Sequence, residues 1–434
     1  MKYAEQAAHG KAFDLKATVQ YCCDQIKQII EKVGPRAPGS PQELEAQKMM
    51  AKELEQWADD VQIEEFTVHR QAFMGFIPFT VAMGIIASFL YWFDHALIGL
   101  ILVLLGAIPL VLEFVMYKQF IDPLFPGHPS HNVIATRRPK GEVKRRIFLV
   151  GHSDSQYEWT LNYKLGGNGM KAVLIPAVVG FIICGAANLV KLLVVNVAGV
   201  ELTGGLNIFF KVFGVILFCL FPCFIGFLFF QNPFKSVPGA NDNLTGCYVA
   251  MSTLKTLAEA DIRFEHTEVV VLLSGSEEAG LRGAKAYAKR HKEELLDTET
   301  VVLGLDTFRD LKDLAVYDRD LSGTLKHDKQ AKELVKNAAS NCGLDLPYAS
   351  IYIGACDAAA FTQIGVKATG FAAMDPTPPR YYHTRLDSWE LLEPEAIRTG
   401  IEVVTETCCM YDAVGFCEDA STVSCEESSA FTGI

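Results

Sequence analysis

Four stretches of this chain lack any charged side chain for about the length of a bilayer crossing: Gln71 to Phe93, Ala96 to Leu112, Ala172 to Val190, and Val212 to Asn232. A membrane helix needs about 20 mostly apolar residues, and the second stretch reaches that length by running past Glu113 to Tyr117. Asp94-His95 separates the first two stretches, and Lys191 to Lys211 separates the last two. The pattern therefore predicts four transmembrane helices arranged as two hairpins. Glu113, Lys191 and Lys211 fall near span ends, where long side chains can snorkel to the interface. Buried helices of a large soluble core are the alternative, but four such runs in one chain argue against it.

Elsewhere the pattern switches between helical and strand periods. Residues 13 to 33 and 41 to 59 are predicted helices, separated by the breaker Gly34-Pro35-Arg36-Ala37-Pro38-Gly39. Val61 to Val68 alternates as a strand. Val133 to Thr136 and Ile147 to Val150 are short strands, with the basic stretch Arg137 to Arg146 on a hairpin between them. Helices are expected over Leu244 to Leu257, Gly280 to Glu294, Lys329 to Ala339 and Pro394 to Tyr411. Strands are expected over Val269 to Leu273, Val301 to Leu305 and Ala368 to Ala372. Alternating strands and helices predict an α/β domain with a mixed, mostly parallel sheet flanked by helices. Its parts are 1–70, 119–164 and 233–417, interrupted by hairpin 71–118 and hairpin 165–232. The tail 418–434, rich in Ser, Glu and Thr, is expected to be disordered. With the hairpins removed, roughly 320 residues remain, a plausible single domain. Each hairpin has an even number of spans, so all three soluble segments return to one side of the membrane.

Composition supports this division. Half of the 434 residues are hydrophobic and only 21% are charged, as for a globular domain plus several spans. The net charge of -12 excludes the basic face that a nucleic-acid partner needs. Polar and charged residues precede the first apolar run, so no cleaved signal is expected. The twelve cysteines show neither a disulfide framework nor a metal knuckle and read as free thiols of a reducing compartment. Arg70, Lys118, Lys164, Lys171 and Lys235 flank the spans on the domain side, which predicts a cytoplasmic catalytic domain.

The chemistry lies at predicted strand ends. Strand Ile147 to Val150 runs into Gly151-His152-Ser153-Asp154-Ser155, and Pro238-Gly239-Ala240-Asn241-Asp242-Asn243 leads into a helix. Strand Val269 to Leu273 runs into Ser274-Gly275-Ser276-Glu277-Glu278, and Val301 to Leu305 ends in Asp306. Tyr381-Tyr382-His383-Thr384 follows another strand. In open α/β sheets the crevice lies outside the carboxyl ends of the strands. Taken singly, each residue has an ordinary role. His152 can be a strand-end histidine, Asp242 a helix cap, Glu277-Glu278 a solvated loop, Asp306 a turn residue and His383 packing. Their joint placement argues for a site. Imidazole and carboxylate are the ligands of catalytic zinc. Two His and three acids suffice for two ions sharing a carboxylate, and one of Glu277 and Glu278 can ligate while the other acts as general base.

The blocks GHSDS, GANDN, SGSEEAGLRGAKAY, LDT and YYHTRLDS, with GPRAPGS near the start, resemble the zinc aminopeptidases of metallopeptidase family twenty-eight. That family also includes glutamate carboxypeptidases and glutaminyl cyclases. The resemblance covers nearly all of the soluble part and none of the hairpins. It implies two zinc ions, with His152 and Asp306 on one, Glu278 and His383 on the other, and Asp242 between them. It implies Glu277 as general base and Asp154 as the carboxylate that orients His152. Asp357, in Gly354-Ala355-Cys356-Asp357, is assigned a helix-capping role. Arg385 stands where family members often have Pro and reads as a structural residue rather than a contact for a substrate carboxylate. The expected function is a membrane-anchored, metal-dependent exopeptidase acting on peptides, in the first place an aminopeptidase. Carboxypeptidase or glutaminyl cyclase chemistry on the same site is one rival, and an inactive membrane scaffold another. A transport pathway is disfavoured by the near absence of ionisable residues within the spans.

Overall fold

The computed structural model describes residues 1–375 and 377–416; the tail expected to be disordered lies outside them. Eleven strands are present among the described residues. They are β1 (Asp60–Val68), β2 (His128–Arg137), β3 (Arg145–His152), β4 (Tyr157–Trp159), β5 (Gln231–Ser236), β6 (Thr267–Ser274), β7 (Glu299–Phe308), β8 (Leu314–Asp320), β9 (Leu325–Lys326), β10 (Tyr348–Ser350) and β11 (Lys367–Ala373). Nine of them form one sheet in the order β1-β2-β6-β3-β7-β11-β8-β10, with β9 paired to β8. The central strands β6, β3, β7 and β11 are parallel. They are buried on both faces, which is why they read as continuous Val/Leu/Ile runs rather than alternations. β1, at the edge, keeps polar residues exposed along much of its length.

Helices cover both faces. Leu15–Lys32, Pro41–Leu54, Gly246–Glu259, Lys329–Asn341 and Pro394–Val414 pack on one. Arg282–Arg290 and Ala358–Gln363 pack on the other. Several begin where the sequence places an oxygen acceptor: Asp14, Ser40 and Asp328 accept from the backbone N–H three residues on.

β2 and β3 are not the hairpin their sequence suggested. β6 lies between them, antiparallel to β2 and parallel to β3. The basic connection instead closes over the entry to β6, with Lys140 N–H donating to Phe264 O (2.9 Å) and Gly141 N–H to Glu265 O (3.0 Å). A β-branched strand buried on both faces outcompetes the local turn, because it buries more apolar surface there.

Four helices are long and apolar enough to cross a membrane: Ala72–Trp92, Ala96–Val115, Thr160–Val197 and Gly204–Leu228. They pack together as one bundle. The last begins before Val212 and ends before Asn232, because Lys211 stays in the helix and residues from Gln231 onward enter β5. Lys211 donates to Trp92 O (3.3 Å) and its ammonium lies 4.3 Å from the centre of the Trp92 ring. Glu113 and Lys191 do not snorkel. Glu113 is buried, accepts from the backbone of Phe120 and Ile121, and pairs with Arg282 at 2.6 Å. Lys191 is buried against Tyr91 O (2.6 Å) and Asp94 (2.5 Å).

Candidate metal centre

Each loop that carries a candidate ligand is tied down by a buried side chain from elsewhere in the chain. Arg36 is fully buried. Its guanidinium donates to the carbonyls of Gly34 (3.2 Å), Ser153 (2.8 Å), Pro238 (2.7 Å) and Gly239 (2.8 Å). It thereby ties the loop of His152 to the loop of Asp242, although burial lowers its pKa to about 10. Asp387 accepts from Asn241 N–H (2.9 Å), Asn241 Nδ2 (2.7 Å) and Asp242 N–H (3.1 Å). Glu43 accepts from Ser276 N–H (2.7 Å) and from Ser130 (2.8 Å), fixing the turn before Glu277. The sequence quoted Arg36 and Asp387 only as parts of motifs, and Glu43 carried no signal. An Arg inside a Gly/Pro breaker, with no acid nearby in sequence, was the available clue.

Backbone conformation aims the side chains. Ser276, Leu281, Thr307 and His383 all have positive φ (53°, 61°, 45° and 54°), a costly region for non-glycine residues and one that clusters at functional sites. Gly239 has φ 64° and is in close contact as well; a Cβ there would lie 2.6 Å from Ser155 Cβ and 2.7 Å from Asp242 O.

His152, Asp242, Glu277, Glu278, Asp306 and His383 converge at the carboxyl edge of the sheet. Asp242 sits between the imidazoles: its Oδ1 is 3.1 Å from His152 Nε2 and its Oδ2 is 2.8 Å from His383 Nε2. His383 Nε2 is also 3.3 Å from Glu278 Oε1, and His152 Nε2 is 3.8 Å from Glu277 Oε2. Ligand atoms of His152, Asp242 and Asp306 lie within 4.8 Å of one another, as do those of Asp242, Glu278 and His383. Asp154 accepts from Glu277 N–H (3.0 Å) and Glu278 N–H (3.1 Å), and its Oδ1 is 3.5 Å from His152 Nδ1. It thus positions three candidates at once. Glu278 Oε2 accepts from Gln156 Nε2 (2.5 Å), while its buried Oε1 has no hydrogen-bond partner.

The electrostatics are those of a cation site. Burial pushes the Glu277 carboxyl well above the usual range, assisted by Glu278, Asp357 and Asp306 and opposed by His152. Burial also raises Glu278, and it raises Asp306 to about 7 with help from the Asp242 charge. Asp242 goes the other way: against burial, hydrogen bonds from both imidazoles hold it low. Burial disfavours the charged imidazoles, yet Glu277, Asp154 and Asp242 hold His152 well above its usual value, and Glu278 and Asp242 raise His383 to about 10. Crowded carboxylates with an unpartnered oxygen, and imidazoles in contact with them, form a donor set that could hold a divalent metal ion.

One expectation changes. Asp357 precedes helix Ala358–Gln363 but makes no side-chain cap bond. Its carboxylate accepts instead from the Ser274 hydroxyl, at the end of β6, and burial raises it to about 6. Arg385 forms a two-pronged pair with Glu158 (2.5 and 2.7 Å), the structural role expected of it. A further buried group, Asp320, His327 and Cys356, drew no attention in the sequence. Its members hydrogen-bond one another through Asp320 Oδ2, at 3.0 and 3.1 Å.

Residues 229–408 match the model of Peptidase family M28. Aminopeptidase YwaD of Bacillus subtilis is 28% identical over 186 residues, covering 41% of this chain; the match spans 38% of that relative's length. Among solved structures, an aminopeptidase from Aneurinibacillus sp. strain AM-1 aligns with a TM-score of 0.52 at 14% identity, covering 94% of this chain and 96% of that one. A glutaminyl cyclase from Bacteroides thetaiotaomicron aligns with a TM-score of 0.52 at 12% identity, covering 92% and 98%. The matched segment holds Asp242, Glu277, Glu278, Asp306 and His383, and over it the chain is similar to peptidase family M28.

Proposed function

We propose that the chain is a membrane-anchored, zinc-dependent exopeptidase of aminopeptidase type, with its catalytic domain built from 1–70, 119–164 and 233–417 around two membrane hairpins. The observation that carries this reading is the Asp242 carboxylate, which presents one oxygen to each of two imidazoles, 3.1 and 2.8 Å away. His152 and Asp306 would hold one ion, Glu278 and His383 a second, and Asp242 both. When bound, such a pair polarises a carbonyl and lowers the pKa of water near neutrality.

The protein's own groups do the rest. Glu277 belongs to neither set of ligands and faces the site with a raised proton affinity, which suits a general base that takes a proton from water and gives it to the departing amine. Asp154 holds the Glu277 and Glu278 backbone in place. Glutaminyl cyclisation is the second reading, favoured by the fold shared with the Bacteroides enzyme. In that reaction the substrate's own α-amine attacks, ammonia leaves and no water is consumed.

The test is mass analysis of the products from a peptide set: free at both ends, blocked at the amino end, blocked at the carboxyl end, and starting with glutamine. Release of the first residue from every peptide with a free amino end is expected. Cleavage that survives an amino block but not a carboxyl block would point to carboxypeptidase action. Loss of ammonia alone from the glutamine peptide would point to cyclisation.

A further inference from the structure

Both membrane hairpins leave the domain at the edge of the sheet that carries the metal-ligand candidates. β1 and β6 are each antiparallel to β2, so Val68 ends beside His128 at the same edge as Ser274 and His152. The first span starts at Ala72, and its Phe73 ring packs on the Glu277–Gly280 turn: a Cβ on Gly280 would lie 2.9 Å from it. At the return of this hairpin, Tyr117 O accepts from Lys285, and Glu113 pairs with Arg282.

The second hairpin grips the other side of the site. Trp159 N–H donates to His383 O (2.8 Å), one residue before the start of the long helix Thr160–Val197 that carries the third span. The Trp159 ring centre is 4.4 Å from that of His383 and 4.7 Å from that of Phe230, which lies two residues beyond the last span. Two ring contacts therefore link a candidate ligand to the end of a membrane helix. The first span has 21 residues, about 31 Å of helix, which matches a hydrocarbon core of about 30 Å. With the far turn at Asp94, the near surface of the bilayer comes level with the first turns of that helix, where Phe73 meets Gly280. Exposed side chains on this helix begin at Pro78 and Phe79, the latter 45% exposed.

We propose that the cleft opens onto the bilayer surface and that its substrate is a peptide whose free amino terminus is held there by an apolar anchor of its own, an acyl chain or a membrane-spanning segment. This rests on the peptidase reading above. An anchored peptide arrives at the height of the cleft and is concentrated in its plane, whereas a soluble peptide must enter between the hairpin bases and the headgroups.

The test uses the full chain reconstituted in phosphatidylcholine vesicles. The probes are peptides with one amino-terminal sequence, joined to a palmitoyl-lysine by a spacer of about 4 or about 15 residues, and the same peptide without an anchor. An extended residue reaches about 3.3–3.6 Å, and a domain of roughly 320 residues is about 50 Å across. A site on the distal face would therefore be out of reach of the short spacer. The expected result is cleavage of the short-spacer peptide with kcat/KM at least about tenfold above the unanchored one, matching or exceeding the long spacer. Replacing the palmitoyl group with an apolar segment of about 20 residues identifies which anchor is preferred, and short-spacer cleavage with either supports the proposal. Cleavage of the long-spacer and unanchored peptides but not the short one overturns it while leaving the peptidase reading standing. Cleavage of none removes the peptidase reading and the substrate claim with it.

Discussion

At the residue scale, the adjacent acids Glu277 and Glu278 are expected to separate in function. Glu278 lies 3.3 Å from His383, whereas the Glu277 carboxylate lies 3.8 Å from His152. Glu277→Gln should retain metal and lower kcat by about 10²–10⁴-fold, while Glu278→Gln should lose metal. Elemental analysis beside the rate on an aminoacyl amide checks both, and the reverse pattern would exchange the roles. Asp154→Asn should cost about 10–100-fold in metal affinity or activity. Binding should also be coupled to protons. Against burial, carboxylates raise His383 to about 10 and hold His152 above its usual value, and a ligating nitrogen must give up its proton. Zinc titrated into chelator-stripped protein at pH 7 should therefore release protons, and apparent affinity should rise with pH toward about 10. Calorimetry in buffers of different ionisation heat measures the release; heats independent of buffer would contradict it. Among the candidate ligands, His152, Glu278 and Asp306 were legible because each follows an apolar run read as a buried strand, whereas Asp242 and His383 stood out only within their motifs. Arg36, Glu43 and Asp387 were not, because their partners are backbone groups tens to hundreds of residues away, a relation that no local pattern encodes.

At the scale of elements, the hairpins brace the loops that carry the candidate ligands. Arg282 and Glu113 are 2% and 1% exposed as side chains, and Arg282 also pairs with Asp122 at 2.7 Å, so removing Glu113 leaves it one of two acids and costs less than the about 3–5 kcal/mol of a fully unpaired buried charge. Glu113→Gln should lower the thermal unfolding midpoint in detergent and weaken metal binding, because Arg282 follows directly on the Glu277–Gly280 turn. An unchanged midpoint and metal affinity would show that the hairpin is only an anchor. Span number and hairpin pairing could be read from charge-free length alone. Span ends could not, because Glu113, Lys191 and Lys211 find partners inside the protein rather than at the interface. The strands β8 and β10 and the insertion of β6 between β2 and β3 also escaped the pattern, since short strands and non-local pairing are set by tertiary burial.

At the scale of the whole molecule, the flanking cations Arg70, Lys118, Lys164, Lys171 and Lys235 lie on the domain side of the bundle. On the far side, Lys191 is neutralised by Asp94. Lys/Arg excess marks the cytoplasmic side, so a reporter fused after Ile434 should behave as cytoplasmic; an exported reporter would invert the topology and leave the site chemistry untouched. The reading as a whole depends on one carboxylate shared by two ions. Metal stoichiometry of the purified full chain and of Asp242→Asn tests it most directly. Two tightly held zinc ions in the wild type, with at least one lost together with nearly all peptidase activity in the variant, is the result expected. Two tightly bound ions retained in Asp242→Asn would contradict it.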